Sequence, residues 1–288
     1  MKKLDLSAWV RGSENTADTA FRQAVHTLIT AISRSDFLYA KMIFHGGLLL
    51  AILFKGIRHT KDIDFVTSDH RSEIDIDDFI SRLNDEIAVA CEILTYGLDC
   101  KIQSYRVRPP GENRNFQTIK IKMGYAHKGT SAHRKLIKLQ CPTVFEIDYS
   151  FNEINQRIDT IKLVDGGKIQ VYSLPDIVGE KFRAMIQQKI RNRQRRQDAF
   201  DIYWLLKRGY LTDQSLKILI HRSLLMKAKS RNLQVNKHSL SDEEIMKRSK
   251  AEYKTLSHEI DGTLPPFEEV YTAVRNYYES LPWGKQHI

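Results

Sequence analysis

The chain has 288 residues, of which 42% are hydrophobic and 28% charged, and its formal net charge is +10 at pH 7. This composition is that of an ordinary globular protein with a sizeable core, and the sequence shows no internal repeat or low-complexity segment. No segment reaches the roughly 18 uncharged apolar residues of a membrane span, and the N-terminus lacks an apolar signal region, so we expect a cytoplasmic protein with no membrane partner. The excess of basic residues indicates a polyanionic partner.

The first predicted helix covers residues 16–34, where apolar residues recur at spacings of three and four. It is followed by the pair Gly46-Gly47 and the apolar segment Leu48–Phe54. A Gly-Gly pair that begins a helix leaves backbone N–H groups free, and the helix dipole adds positive potential to them. We therefore expect these glycines to hold the phosphates of a nucleotide.

The sequence Asp62-Ile63-Asp64-Phe65 predicts a strand, whose period of two places both carboxylates on one face. Like charges this close repel by several kcal/mol unless a cation lies between them, and Mg²⁺ prefers such hard oxygen ligands. The pattern predicts a site for Mg²⁺, or for Mn²⁺. The alternative is an ordinary βαβ unit whose acidic strand end is solvated.

An amphipathic helix is predicted from Ile74 to Ala90, and three β-rich runs follow at Ile102–Val107, Thr118–Tyr125 and Lys138–Ser150. Strands in series predict an antiparallel extension of the sheet. The residues His127–Lys135 are predicted to form a basic loop.

Two further acids, Glu146 and Asp148, alternate with apolar residues in the last of these runs. They therefore share one face of the strand, as Asp62 and Asp64 do. The pattern by itself leaves open whether they belong to a site or line the polar face of a half-exposed strand.

The pair Gly166-Gly167 predicts a hairpin turn and a domain boundary, which divides the chain into residues 1–170 and 171–288. The second part is helical in pattern. The first of its predicted helices begins at Ser173. The others cover Asp198–Leu206, Asp213–Ser230, Ser241–Ser257 and Pro266–Ser280.

A basic run precedes Asp198 and consists of Lys189, Arg191, Arg193, Arg195 and Arg196. Clustered cations of this kind bind the phosphates of a nucleic acid, although charge runs are often only a solvated helix end. We predict that this run contacts RNA.

Four of these features together resemble a known family. The Gly-Gly turn and the Asp-x-Asp strand are similar to the polymerase-beta-like nucleotidyltransferases, and the sequence from Arg58 to Phe65 resembles their AbiEii toxin branch. Two later motifs of that branch are matched by Glu180-Lys181-Phe182-Arg183-Ala184 and by the segment from Arg195 to Asp201. The resemblance implies an α+β fold, with a polymerase-beta-like mixed sheet, flanking helices and a C-terminal helical bundle.

The resemblance also implies the role of each site residue. It makes metal ligands of Asp62, Asp64 and Asp148, with Glu146 left over, and it makes Lys181 and Asp201 catalytic, with Asp198 in support. The nucleotide would be bound by Gly46, Gly47, Arg58, Thr60 and Lys181. Without the resemblance, Lys181 would be read as an exposed helix lysine.

The implied activity is Mg²⁺-dependent transfer of a nucleotide from an NTP to the 3′ end of tRNA, by the toxin of a toxin–antitoxin or phage-defence system. An antitoxin protein is then a further partner. The alternatives are transfer to a protein or to a small, aminoglycoside-like hydroxyl compound, and a non-catalytic module that binds nucleotide or nucleic acid.

Overall fold

The computed structural model describes residues 3–13, 15–111 and 116–284. Its strands are β1 (Lys3–Leu4), β2 (Ile43–His45), β3 (Ile63–Val66), β4 (Leu98–Arg108), β5 (Thr118–His127), β6 (Val144–Ser150), β7 (Ile158–Leu163) and β8 (Lys168–Tyr172). They form one mixed sheet in the order β1-β7-β8-β2-β3-β6-β5-β4. Pairing is parallel between β1 and β7, β2 and β8, and β3 and β6, whereas β2 with β3, β5 with β6 and β4 with β5 are antiparallel.

The α-helices of the described residues are α1 (Leu6–Arg11), α2 (Thr16–Arg34), α3 (Asp36–Lys41), α4 (Gly46–Phe54), α5 (Ile76–Ile93), α6 (Ser131–Ile137), α7 (Leu174–Arg191), α8 (Arg196–Lys207), α9 (Gln214–Ser230), α10 (Glu243–Lys250) and α11 (Phe267–Glu279). The predicted α+β class, with a mixed sheet and a helical C-terminal part, is confirmed. Among the described helices, none combines the length and the apolar character that crossing a membrane requires.

Helices α2 and α5 pack on each other and against β4, so they cover one face of this part of the sheet. The apolar stripe predicted for residues 16–34 is confirmed, since Phe21, Val25 and Ile32 of α2 are buried. On β5, Ile119 and Ile121 point into this core and have no exposed surface. The residues that alternate with them belong to the opposite face of the sheet.

Three of the predicted boundaries are wrong, each for a local reason. The segment predicted as a basic loop contains α6, because Thr130 caps its N-terminus and Leu136 is fully buried. Strand β6 begins only at Val144, since the left-handed backbone of Leu139 (φ 57°) turns the chain after α6. The helix predicted over Ser241–Ser257 ends at Lys250 and gives way to a 3₁₀-helix over Tyr253–His258.

The chain divides into two compact units. The first comprises the residues up to Leu49 together with Lys61–Glu153 and Ile158–Val171. The second comprises Leu50–Thr60, Ile154–Arg157 and the chain from Tyr172 onward. The division into domains of residues 1–170 and 171–288 stays a prediction.

In the second unit, α7 packs against α8, α9 and α10. It begins as predicted, with Ser173 as the N-cap and a proline in the first turn. Its contact with α9 is close, because a Cβ added to Gly179 would lie 2.7 Å from Oγ of Ser223. This packing holds α7, which carries Lys181, in a defined position.

Candidate active site

Polar side chains from five neighbouring strands form one row across the sheet. His45 of β2 pairs with Asp64 of β3, and Asp64 pairs with Asp148 of β6. The row continues from Asp148 to Lys120 of β5 and then to Arg106 of β4. Residues at paired positions point to the same face of a sheet, so the row makes neighbours of two carboxylates that are far apart in sequence.

The two acids of the Asp-x-Asp motif differ in their surroundings. Strand β3 begins at Ile63, so Asp62 lies just before the strand and is exposed, whereas Asp64 lies within it and is half-buried. Ile63 and Phe65 are buried, as the period of two predicts. Of the two acids, only Asp64 has its position set by the strand pairing.

Gly46 begins α4 directly after β2 and has a left-handed backbone, with φ of +84°. A Cβ added to Gly46 would lie 2.0 Å from Oδ2 of Asp64, a distance that no side chain could occupy. The glycine is therefore needed for two reasons, its backbone conformation and the approach of the Asp64 carboxylate. The contact links the Gly-Gly turn to the acidic strand, while phosphate binding by Gly46 and Gly47 stays a prediction.

Lys120 belongs to the same site, and sequence reasoning missed it. Its Nζ lies 3.2 Å from Oδ1 of Asp148 and 3.4 Å from Oε2 of Glu146. Burial lowers the pKa of Lys120, but the ion pairs with these two carboxylates raise it by more, so it lies above the usual lysine value. The alternation of Lys120 with isoleucines in β5 predicts its face of the strand, whereas its acidic partners follow only from the strand register.

The acidic pair fits a hard cation such as Mg²⁺. Oδ1 of Asp148 is buried and accepts no hydrogen bond from a described residue, because the nearby Lys120 ammonium is poorly aligned with it. A buried carboxylate oxygen without a donor is costly, and a divalent cation with oxygen ligands would satisfy it. Within residues 3–13, 15–111 and 116–284, however, no three His, Cys, Asp or Glu side chains are grouped closely enough to hold a metal ion. The contribution of Asp62 as a third ligand therefore stays a prediction.

The second unit contains another group of predicted site residues, which bind one another. Nε and Nη2 of Arg58 donate hydrogen bonds to the two carboxylate oxygens of Asp201, at 2.9 and 3.0 Å. Nζ of Lys181 donates to Oδ1 of Asp198 at 2.9 Å and to Oδ2 of Asp201 at 2.8 Å. The side chains of these four residues are only 6–11% exposed. Lys181 is therefore a buried residue and not an exposed helix lysine.

Charges within this ion network decide its protonation. Burial by itself lowers the pKa of Arg58 and Lys181 and raises that of Asp201. The opposite charges outweigh burial, so the pKa of each cation lies above its usual value and the pKa of Asp201 falls to about 2. These three groups are charged at neutral pH. Lys181 and Arg58 each donate two hydrogen bonds within the network.

Local structure explains how the network is assembled. Asp198 and Asp201 are three residues apart on α8 and therefore lie on one face of the helix, as predicted. Arg58 is held in an antiparallel bridge with Ile260, and Thr60, two residues later, is half-buried. Binding of a triphosphate by Arg58, Thr60 or Lys181 stays a prediction.

The predicted RNA-binding run spans the end of α7 and the start of α8. Lys189 forms an ion pair with Asp242, and Arg196 forms one with Glu259. Arg195 lies 3.8 Å from Asp198, while Arg191 and Arg193 are exposed. Three of the five cations thus contact acids of their own unit, and RNA binding by the run stays a prediction.

The family model described as nucleotidyl transferase AbiEii toxin, type IV TA system, matches residues 30–275. The chain belongs to this AbiEii family. It is therefore a nucleotidyltransferase and the toxin of a type IV toxin–antitoxin system, which implies a nucleotide substrate and an antitoxin partner. The predicted family and enzyme class are confirmed.

Solved structures with similar folds share little sequence with this AbiEii toxin. A protein from Helicobacter pylori, solved as a candidate nucleotidyltransferase, is 13% identical, with 91% of this chain and 92% of that chain covered and a TM-score of 0.50. MenT4, a nucleotidyltransferase toxin from Mycobacterium tuberculosis H37Rv, is 12% identical, with 96% and 97% covered and a TM-score of 0.45. No curated protein is similar enough in sequence to match the chain.

The contact between Gly46 and Asp64 predicts a large effect of one methyl group. We expect Gly46→Ala to slow nucleotide transfer by about 10²-fold, because the new Cβ displaces the carboxylate and misplacements near 1 Å have effects of this size. The matched control is Gly97→Ala, since Gly97 also has a positive φ (+63°) but its added Cβ would meet nothing within 4 Å. Transfer rates and melting temperatures of the two variants measure the difference. Equal activities would contradict the proposed contact.

Proposed function

We propose that this AbiEii toxin transfers a nucleotide from an NTP to the 3′ hydroxyl of tRNA in a Mg²⁺-dependent reaction, for which Mn²⁺ could replace Mg²⁺. The observation that carries the proposal is the parallel pairing of Asp64 with Asp148 beside the Gly46 turn. Two carboxylates and a turn of free N–H groups are the parts that binding of a metal-bound triphosphate requires. The tRNA acceptor rests on the family resemblance and on the basic character of the chain.

In the proposed step, the acceptor oxygen forms a bond to the α-phosphorus of the NTP, and the bond from that phosphorus to the bridging oxygen breaks. Pyrophosphate leaves, and the acceptor hydroxyl loses its proton. Asp64 and Asp148, with Asp62, would hold the divalent metal. When bound, the metal offsets phosphate charge and makes the hydroxyl more acidic.

The other residues of the first unit bind the phosphates or position a carboxylate. Gly46 and Gly47 would donate backbone hydrogen bonds to the phosphates. Lys120, through its ion pair with Asp148, orients that carboxylate. The motifs of the family follow one another along the chain in the expected order, which also supports a role for Lys181, Asp201 and Asp198 in the reaction.

The buried ion network favours a positioning role for Lys181 and Asp201 in addition to the catalytic role that the resemblance implies. An ammonium group that already donates to two carboxylates has one N–H left for a triphosphate. Arg58 is bound to Asp201 through two hydrogen bonds, which fix the orientation of its guanidinium group. Stability and activity measurements on Asp201 variants separate the two roles.

Labelled nucleotides test the proposal directly. The toxin is incubated with total tRNA, Mg²⁺ and each NTP in turn, labelled at the α-phosphate. We expect label to appear in the tRNA with one or more of the NTPs. Label at the γ-phosphate should be released as pyrophosphate, because the bond between the α and β phosphates breaks.

The matched control is tRNA whose 3′-terminal diol has been oxidised with periodate, which should accept no label. Label in protein or in a small hydroxyl compound, with none in tRNA, would replace the tRNA proposal by the corresponding acceptor. Transfer that persists in excess EDTA would contradict metal dependence. We also propose that the reaction takes place in the cytoplasm and serves phage defence, which a comparison of phage plating on cells with and without the system would test.

A further inference from the structure

A second group of cations lies on the sheet beside the proposed site. It consists of Arg106 and Arg108 of β4 and Lys120 and Lys122 of β5, and we call it the basic strip. All four residues alternate with side chains that point toward the opposite face, where α2 and α5 pack. The basic strip therefore lies on the face of the sheet that also carries Asp64 and Asp148.

Most of these cations have no acidic partner among the described residues. Arg106, Arg108 and Lys122 are exposed, and none of them forms an ion pair with any residue in the described part of the chain. Only Lys120, the member nearest the carboxylates, is engaged, with Asp148 and Glu146. In the run from Lys189 to Arg196, by contrast, at least three of the five cations contact acids. The basic strip thus has more charge available for a polyanion.

The strand register gives the basic strip its dimensions. Arg106 pairs with Lys120, which pairs with Asp148, so Arg106 is two strands, or roughly 10 Å, from the carboxylate. Arg108 lies two residues beyond Arg106, a step of roughly 7 Å along β4. Such a step is similar to the distance between successive phosphates of an extended polynucleotide.

The strip is closed at one end. Gln103 lies over Gly124, donating to the backbone oxygen of Cys141 at 3.1 Å and accepting from its N–H at 2.6 Å. Leu136 of α6 approaches the same glycine, where an added Cβ would lie 2.9 Å from it. The Gly124 end of the strip is therefore occupied by side chains of the protein itself.

We infer that the phosphodiester backbone of the acceptor RNA binds along the basic strip, with its 3′ hydroxyl directed toward Asp148. This inference rests on the proposed function, and it assigns the surface that holds the acceptor. Phosphates are attracted by the exposed cations and repelled by Glu146 and Asp148. A terminal hydroxyl has no charge, so it is the part of the RNA that can approach the carboxylates.

The test replaces three cations at once, as Arg106→Gln/Arg108→Gln/Lys122→Gln, in the full chain. Binding of a short single-stranded RNA with a free 3′ hydroxyl, and of total tRNA, is measured without NTP at several salt concentrations. Each lost phosphate contact should reduce the slope of log K against log salt by about 0.7, hence by about 2 in total. Over a tenfold range of salt, the wild type should then lose about 100-fold more affinity than the variant. The affinity for NTP should not change.

The matched control removes the same charge elsewhere, as Lys229→Gln/Lys237→Gln/Lys254→Gln, three lysines that are also exposed. We expect this control to keep the wild-type slope. Equal slopes in the strip variant and the wild type, or an equal fall in both variants, would overturn the inference. Since binding is measured without transfer, a wild type that labels no tRNA would contradict the proposed function while the slopes still decide the inference. If the strip variant no longer transfers nucleotide to a protein acceptor but binds RNA as the wild type does, the inference is also overturned.

Discussion

Replacing Asp64 or Asp148 by Asn is expected to lower nucleotide transfer by about 10³-fold or more while the melting temperature stays close to that of the wild type. Each change removes a proposed metal ligand, and charge neutralisation at a transferring phosphoryl group contributes several kcal/mol to the transition state. Both residues are half-buried, and they lie on the face of the sheet opposite α2 and α5, so the apolar core that those helices form with the sheet is not disturbed. Single-turnover transfer of α-labelled nucleotide and thermal unfolding measure the two effects.

Glu146→Gln is the matched control for these variants. Glu146 lies two residues from Asp148 on the same face of β6 and also contacts Lys120, but it is not paired with Asp64. We expect it to change transfer by less than about tenfold, as a charge at the edge of a site would. If Glu146→Gln is as damaging as Asp148→Asn, the third carboxylate has been assigned to the wrong residue. Full activity of Asp64→Asn would refute the metal-ligand role altogether.

Asp201→Ala is expected to destabilise the protein by about 3–5 kcal/mol, because it leaves the buried cations Arg58 and Lys181 without their shared partner. This corresponds to a fall in melting temperature of roughly 10 °C for a protein of this size. The change should be visible in thermal or urea unfolding before any activity is measured. An unchanged melting temperature with a large loss of transfer would support the catalytic role alone.

A double-mutant cycle with Arg58→Met separates the pair from other effects of each substitution. The two changes together should cost less than the sum of the single changes, by roughly 0.5–3 kcal/mol, because the partly neutralised network no longer contains an unpaired charge. Additive effects would show that Arg58 and Asp201 do not stabilise each other. If the double variant is stable but inactive, the network has a role in the reaction besides its contribution to stability.

The pH dependence of this stability has a defined sign. The pKa of Asp201 is lowered to about 2 in the folded protein, so its contribution is present above the usual aspartate pKa and is lost as the pH falls toward 2. The pKa of Lys181 is raised, so its contribution is present at neutral pH and is lost only when the pH rises past the usual lysine value. Asp201→Ala should therefore remove part of the acid dependence of unfolding that the wild type shows.

Local patterns in the sequence were sufficient for the elements that the site uses. A Gly-Gly pair before an apolar helix and two acids separated by Ile63 depend only on the period of a helix or a strand, and α4 and β3 form where these patterns lie. The order of the four motifs was enough to predict the AbiEii family, which the family model confirms. Assigning these segments to a helix or a strand required no knowledge of distant residues.

Only the tertiary structure decided which charged residues meet. The pairing of Asp64 with Asp148, and of Asp148 with Lys120, depends on the register of strands that are distant in sequence, and a register follows from the packing of the whole sheet. The sequence alone would place Lys181 on the surface, whereas in the structure it is buried and forms ion pairs with Asp198 and Asp201. In the same way, Asp242 and Glu259, the acids that pair with Lys189 and Arg196, come from distant segments, whereas no acid of the described residues pairs with Arg106 or Arg108. Coulombic pairing depends on distance in space and not on separation along the chain.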